Sequence, residues 1–294
     1  MKPSRSRVSP ATLFFALLSL ALGIALYLRI HPSPMEPARP PVSASPHPRT
    51  RASPRSRVST PRPSRSLSGA GAPAIPRVAI VIDDLGNDDA AAERIAGWPY
   101  PVAGAVLPGL PGSARTARRL EEAGKQVLLH LPMEPRGYPQ VRPGPGVVLR
   151  SQTAEQITQT LQSDLESVPG AVGVSSHMGS AATADSRVMQ AVARVLARRG
   201  LFFVDSRTTD ATVAQEVVRR ERVPAVSRCV FLDDRATPEA IAQSLAELLA
   251  RARTGGSALA LGHPYPATLD ILERELPGLA SRGVRLVNVS ELVQ

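Results

Sequence analysis

Val78-Ala79-Ile80-Val81-Ile82-Asp83-Asp84-Leu85-Gly86 is the stretch on which the fold turns. Five apolar residues without a polar interruption read as a strand buried on both faces, the pattern of a parallel sheet covered by helices. Two carboxylates follow at once. In parallel α/β folds chemistry gathers just past the carboxyl ends of the strands, so Asp83 and Asp84 stand where a site is expected. The plain alternative is that they cap the next helix, a task that Asn87, Asp88 and Asp89 are also placed to perform.

Similar apolar runs recur downstream: Val102 to Leu107, Val127 to Leu131, Ala171 to Val174, Leu201 to Val204, Ala258 to Leu261, and a last strand from Val284 to Val289. Helical patterns separate them. Ile157, Leu161 and Leu165 repeat every four residues, and Val188, Val192, Val195 and Leu196 form a stripe that stops at Gly200. Thr237-Pro238-Glu239 reads as an N-cap and first turn, with Ile241, Leu245, Leu248 and Leu249 running to Gly255-Gly256. About seven strands alternating with helices predict a parallel α/β fold, either a small barrel or a doubly wound sheet. The Gly/Pro-rich residues 135–147 are expected as a surface loop that rims a site.

Residues 77–294 contain three histidines, and each falls at a strand end: His130 at the end of Val127 to Leu131, His177 after the strand ending at Val174, His263 after Ala258 to Leu261. Asp205-Ser206 follow Val204. Singly, His130 is as readily a satisfied core histidine and His263 a turn residue. Together, three imidazoles and several carboxylates at one mouth point to a metal hydrolase site. Asp233-Asp234 is as readily a cap as a site group, and Cys229 reads as a small buried hydrophobe.

The chain has 294 residues and a formal charge of +10, but the charge is unevenly spread. Residues 1–76 hold eleven Lys and Arg against one acid, Glu36, and the remainder has 24 of each sign. The folded part is therefore formally neutral, and no nucleic-acid partner is expected. One cysteine excludes a disulfide framework and a thiolate metal cluster. Lys2, Arg5 and Arg7, within a basic segment 1–10, precede an uncharged run from Ala11 to Leu28. That run is expected as a signal-anchor with its basic flank in the cytoplasm, so the domain is extracytoplasmic, on the periplasmic side of an inner membrane. Secretion after cleavage is the rival reading. Residues 29–76 include twelve prolines and are expected as a disordered Pro/Arg/Ser-rich linker. A spacer is the simpler use, and a basic strap for anionic lipid or wall polymer the other.

Several stretches, in order, carry a family resemblance. They are Val78 to Gly86, Leu129-His130-Leu131-Pro132-Met133-Glu134-Pro135, His177-Met178-Gly179-Ser180, Phe203-Val204-Asp205-Ser206-Arg207-Thr208, Val230-Phe231-Leu232-Asp233-Asp234 and Gly262-His263-Pro264. The set resembles the divergent polysaccharide deacetylases, relatives of the carbohydrate esterase family 4 enzymes, and spans nearly all of 77–294. The resemblance implies a distorted (β/α)7 barrel, a divalent metal, usually zinc, and a glycan substrate. The better-known deacetylases place a second metal histidine four residues after the first, where Glu134 stands here. On this resemblance Asp84, His130 and His177 hold the metal, with Glu134 an alternative ligand. Asp83 acts as general base and His263 as general acid, and Ser180, Asp205 and Ser206 are orienting groups. The expected activity is removal of acetyl groups from an N-acetylated glycan. A non-catalytic glycan-binding or scaffold module, or a metal hydrolase acting on another acyl or glycosyl bond, are the rival functions.

Overall fold

A computed structural model describes residues 75–293. The expected n-region, the apolar run 11–28 and nearly all of the linker lie outside the described residues. Among the described residues no helix is long and apolar enough to cross a membrane.

Strands and helices alternate as β1 (Arg77–Leu85), α1 (Asp89–Ala96), β2 (Ala103–Val106), α2 (Ser113–Glu122), β3 (Val127–Met133), α3 (Ala154–Ser167), β4 (Ala171–Met178), α4 (Ser186–Arg199), β5 (Phe202–Asp205), α5 (Ala214–Arg220), β6 (Ala225–Ser227), β7 (Val230–Phe231), α6 (Pro238–Gly255), β8 (Ser257–Gly262), α7 (Pro266–Glu275) and β9 (Arg285–Leu286). The helix signals act as their chemistry requires. Asp88 caps α1 by accepting the N–H groups of Ala90 and Ala91. Thr237 caps α6 with Pro238 in its first turn, and Gly200 ends α4 in the left-handed conformation, φ 69°.

The strands pair in parallel in the order β6-β5-β4-β3-β2-β1-β8-β7, with β9 beside the first residues of β1. The two ends of this path, β6 and β7, are neighbours in sequence, separated only by Arg228 and Cys229. Eight strands laid flat would be about 34 Å across, whereas three residue steps reach about 10 Å. The sheet therefore curls until its edges meet. At the seam Arg228 N–H bonds Asp205 O of β5 at 3.0 Å and Cys229 N–H bonds Leu259 O of β8 at 2.8 Å. The fold is thus a curled parallel sheet whose two edges are joined by one crossing of the chain. Two very short strands, β6 and β7, join those expected, and the last strand is only Arg285–Leu286 rather than Val284 to Val289. Cys229 is exposed at the seam, which corrects its reading as a buried hydrophobe.

Curling gives each strand an inner and an outer face. Val78, Ile80 and Ile82 of β1 pack outward with the helices, in a large core that includes Leu129, Leu131, Val174 and Phe203. Ala79 and Val81 face inward with Leu128, Phe202, Val204, Leu259 and Leu261. Val287, Val289 and Leu292 join this inner core from the β9 side, and β9 pairs the first residues of β1. The C-terminal segment so plugs the amino end and leaves the carboxyl end as the mouth.

Candidate metal centre

Side chains alternate along a strand, so position parity decides who reaches the mouth. Asp83 continues the inner series of Ala79 and Val81. His130 continues from Leu128, Ser175 and His177 share the other parity from outward Val174, and His263 continues from Leu259 and Leu261. Asp84 has the outer parity and is turned by a bulge. Ile82 pairs Gly104 and Leu85 pairs Val106, so β1 carries one residue more than β2 across this step. Asp84 sits in the left-handed region at φ 57°, which Asp tolerates better than most side chains, and Gly86 follows at φ 122°. The turn so directs two neighbouring carboxylates to different surroundings, Asp84 to His130 Nε2 and His177, Asp83 toward His130 Nδ1.

The cluster is tight. Asp84 Oδ1 lies 3.1 Å from His130 Nε2 and 2.9 Å from His177 Nδ1, and the two nitrogens are 3.2 Å apart. Asp84 Oδ1 is buried and accepts no well-angled hydrogen bond. Donor atoms sharing a tetrahedral zinc at about 2.0–2.1 Å are ~3.3 Å from one another, so this triangle has the size a shared cation needs. Two imidazoles and a carboxylate also form a chemically suitable donor set, and the residues fit a divalent ion. Burial opposes ionisation of Asp84, but the His130 and His177 rings outweigh it and hold its carboxyl well below the usual carboxylate range. Burial and the neighbouring His130 push His177 down despite Asp84, which favours the neutral, ligating ring.

Around the triangle stand the remaining groups. Asp83, 2% exposed, is raised to about 6 by burial, against the pull of His130, and its Oδ1 lies 3.8 Å from His130 Nδ1 without a hydrogen bond. His263 Nε2 is 3.6 Å from Asp84 Oδ2. Burial lowers the His263 pKa, but Asp233 reverses this and leaves it raised.

The structure brings Asp83, Asp84, His130, His177 and His263 together. It does not bring in the other named residues. Glu134 holds Arg150, accepting its N–H at 2.7 Å and its Nε at 3.0 Å, so the alternative ligand is engaged elsewhere. Asp205 has the outer parity of Phe203 and accepts from Arg207 N and Thr212 Oγ1. Ser206 exchanges bonds with Ser176, its N–H donating to Oγ and its hydroxyl to the carbonyl, and Ser180 accepts the Arg136 N–H. The groups that orient imidazoles are Ser175, 2.7 Å from His130 Nδ1, and Asp233, 3.0 Å from His263 Nδ1. With His130 Nε2 turned to the triangle, its Nδ1–H donates to Ser175. Parity marks Ser175 in the sequence, whereas Asp233 follows a two-residue strand that no periodicity reveals.

An uncharacterized protein of Haemophilus influenzae is 33% identical over 219 residues, covering 74% of this chain and 76% of the relative. The uncharacterized protein YibQ of Escherichia coli is 34% identical over 218 residues, covering 74% and 67%. The crystal structure of an uncharacterized protein from Agrobacterium tumefaciens C58 superimposes with a TM-score of 0.72 at 26% identity, covering 76% of this chain and 92% of that one. The profile of the divergent polysaccharide deacetylases matches residues 80–293, and with the curled parallel sheet and its histidine mouth the chain belongs to that family.

Proposed function

We propose that this chain is a metal-dependent hydrolase that removes acetyl groups from an N-acetylated glycan. The observation that carries the reading is the Asp84–His130–His177 triangle, with Asp83 on one side and the Asp233–His263 pair on the other. Asp84, His130 and His177 would hold the ion, and zinc suits the donor set. When bound, the ion supplies Lewis-acid polarisation of the acetamide carbonyl and makes a water more acidic.

Asp83 takes a proton from the water as its oxygen adds to the carbonyl carbon. His263 gives a proton to the glycan nitrogen as the C–N bond breaks, leaving acetate and a free amine. Asp233 keeps His263 protonated on Nδ1 and aimed at the mouth. Tyr265, 44% exposed and 5.3 Å from His263, offers a ring on which a sugar face can stack, which the low aromatic content of the chain did not promise. The proposed setting is the cell envelope, with 11–28 as the anchor and 29–76 as the tether of an extracytoplasmic domain.

The test is zinc content and acetate release on the full chain with N-acetylated oligosaccharides. About one zinc per chain and acetate release that a chelator abolishes support the reading. A folded protein that takes up no zinc when it is supplied removes the hydrolase and leaves a glycan-binding module.

A further inference from the structure

Beside the metal triangle, the loops after β3 and β4 line an open cleft of ≈ 500 Å³ whose walls include Arg136, Arg150, Ser180, Asp185 and Ser186. Ser180 is the third residue past His177, so the cleft begins within about 10 Å of the cluster. Its charges are unevenly spent. Glu134 is bound to Arg150, and Asp185 accepts the Arg187 and Val188 N–H groups at the start of α4. Arg136 is held only through neutral partners: its N–H donates to Ser180 Oγ and its guanidinium to Thr209 Oγ1, each at 3.0 Å. Among the described residues no carboxylate lies within 4.0 Å of the Arg136 guanidinium, nor of the guanidinium of Arg207, two residues from Thr209 on the next loop.

We infer that this cleft is a subsite for an anionic substituent, a carboxylate or a phosphate, on the sugar next to the one whose acetamide reaches the metal triangle. The inference rests on the deacetylase reading and narrows its substrate class to acidic N-acetylated glycans. A guanidinium fixed by a hydroxyl and left without a carboxylate keeps its charge for a ligand, and its planar fork suits an oxyanion. The Ser180 and Ser186 hydroxyls add neutral donors. On the opposite side of the mouth stands the Tyr265 ring, so an acidic chain would bind in one direction.

The experiment is calorimetric titration of the zinc-loaded full chain with three N-acetylated oligosaccharides of equal length. One carries a carboxylate on alternate sugars, one a phosphate monoester at the same position, and one the uncharged primary amide. At least one anionic form should bind roughly tenfold or more tighter than the amide, and the stronger of the two identifies the substituent. In Arg136→Gln the ratio of anionic to amide affinity falls toward one, and Arg136→Lys retains part of it. Equal affinity for all three in the wild type, or no binding of any, overturns the subsite. Acetate release is followed in parallel. Release from all three with equal affinity leaves the deacetylase and removes the subsite, whereas anionic preference without acetate release keeps the subsite and removes the deacetylase.

Discussion

Asp233 grips His263 twice: Oδ1 meets the ring Nδ1 at 3.0 Å, and Oδ2 accepts the backbone N–H at 2.7 Å. Thr268 Oγ1 donates to Oδ2 as well, at 2.7 Å, and the carboxylate side chain is wholly buried. The ring can therefore carry its proton on Nδ1 and present Nε2 to the mouth. Asp233→Asn removes the charge that raises the His263 pKa against burial. A general acid must be protonated, so its loss moves the alkaline limb of the kcat–pH profile to lower pH. The expected fall in kcat is about 10²-fold or more, with zinc content unchanged. A pH-rate profile beside metal analysis checks both.

Asp84→Ala and His130→Ala each remove one corner of the donor triangle. Zinc should fall from about one per chain to background in both. Ser175→Ala leaves the corners but frees the His130 ring, and affinity should drop about 10–100-fold. Competition with a chelating dye measures all three.

Asp83 touches no other side chain by a hydrogen bond through Oδ1 and is not a corner of the triangle. Asp83→Asn should keep the metal and lose about 10²–10⁴-fold in kcat. Zinc loss in this variant would move Asp83 from base to ligand.

Asp164, on α3, is buried against Gly146 of the 135–147 loop with its Oδ2 unpartnered, and burial raises its pKa to about 7. Between the unfolded carboxyl value near 4 and about 7, the folded chain holds a proton that the unfolded chain has released. Stability from this group is full below about pH 4 and declines as pH rises to about 7. Asp164→Asn should flatten that slope, raising the melting midpoint at pH 8 and leaving it nearly unchanged at pH 4. Thermal melts across pH give the answer.

Gly112 sits behind the Asp83-Asp84 turn. A Cβ there would lie 2.3 Å from Gly86 O, a backbone atom that cannot move aside cheaply. Gly112→Ala should cost about 1–3 kcal/mol and should disturb zinc binding through the turn, seen in denaturant melts with and without metal.

Much of this was legible because two periods carry it. Buried strands announced themselves as apolar runs, and the caps Thr237 and Gly200 act as read. The three histidines were visible as strand-end residues. What strand-end position alone did not supply was parity: it admits Asp205, whose side chain belongs to the outer face, as readily as Ser175, which belongs to the inner one. Asp233 was ambiguous because β7 is two residues long and its partner lies 30 residues on. Cys229 was misread because the seam exposes a residue that stands at the head of the apolar stretch Val230-Phe231-Leu232.

The seam at Arg228 and Cys229 is a place where the chain can be rewired. No strand ladder spans it, so the peptide link between β6 and β7 is the covalent part of the closure. The domain's ends already adjoin elsewhere: Arg285 N–H bonds Pro76 O at 2.8 Å, and the Arg77 guanidinium reaches Glu291 O at 2.9 Å. A circular permutant that joins those ends and begins at Cys229 would retain every parallel ladder and both cores, exchanging one covalent closure for another.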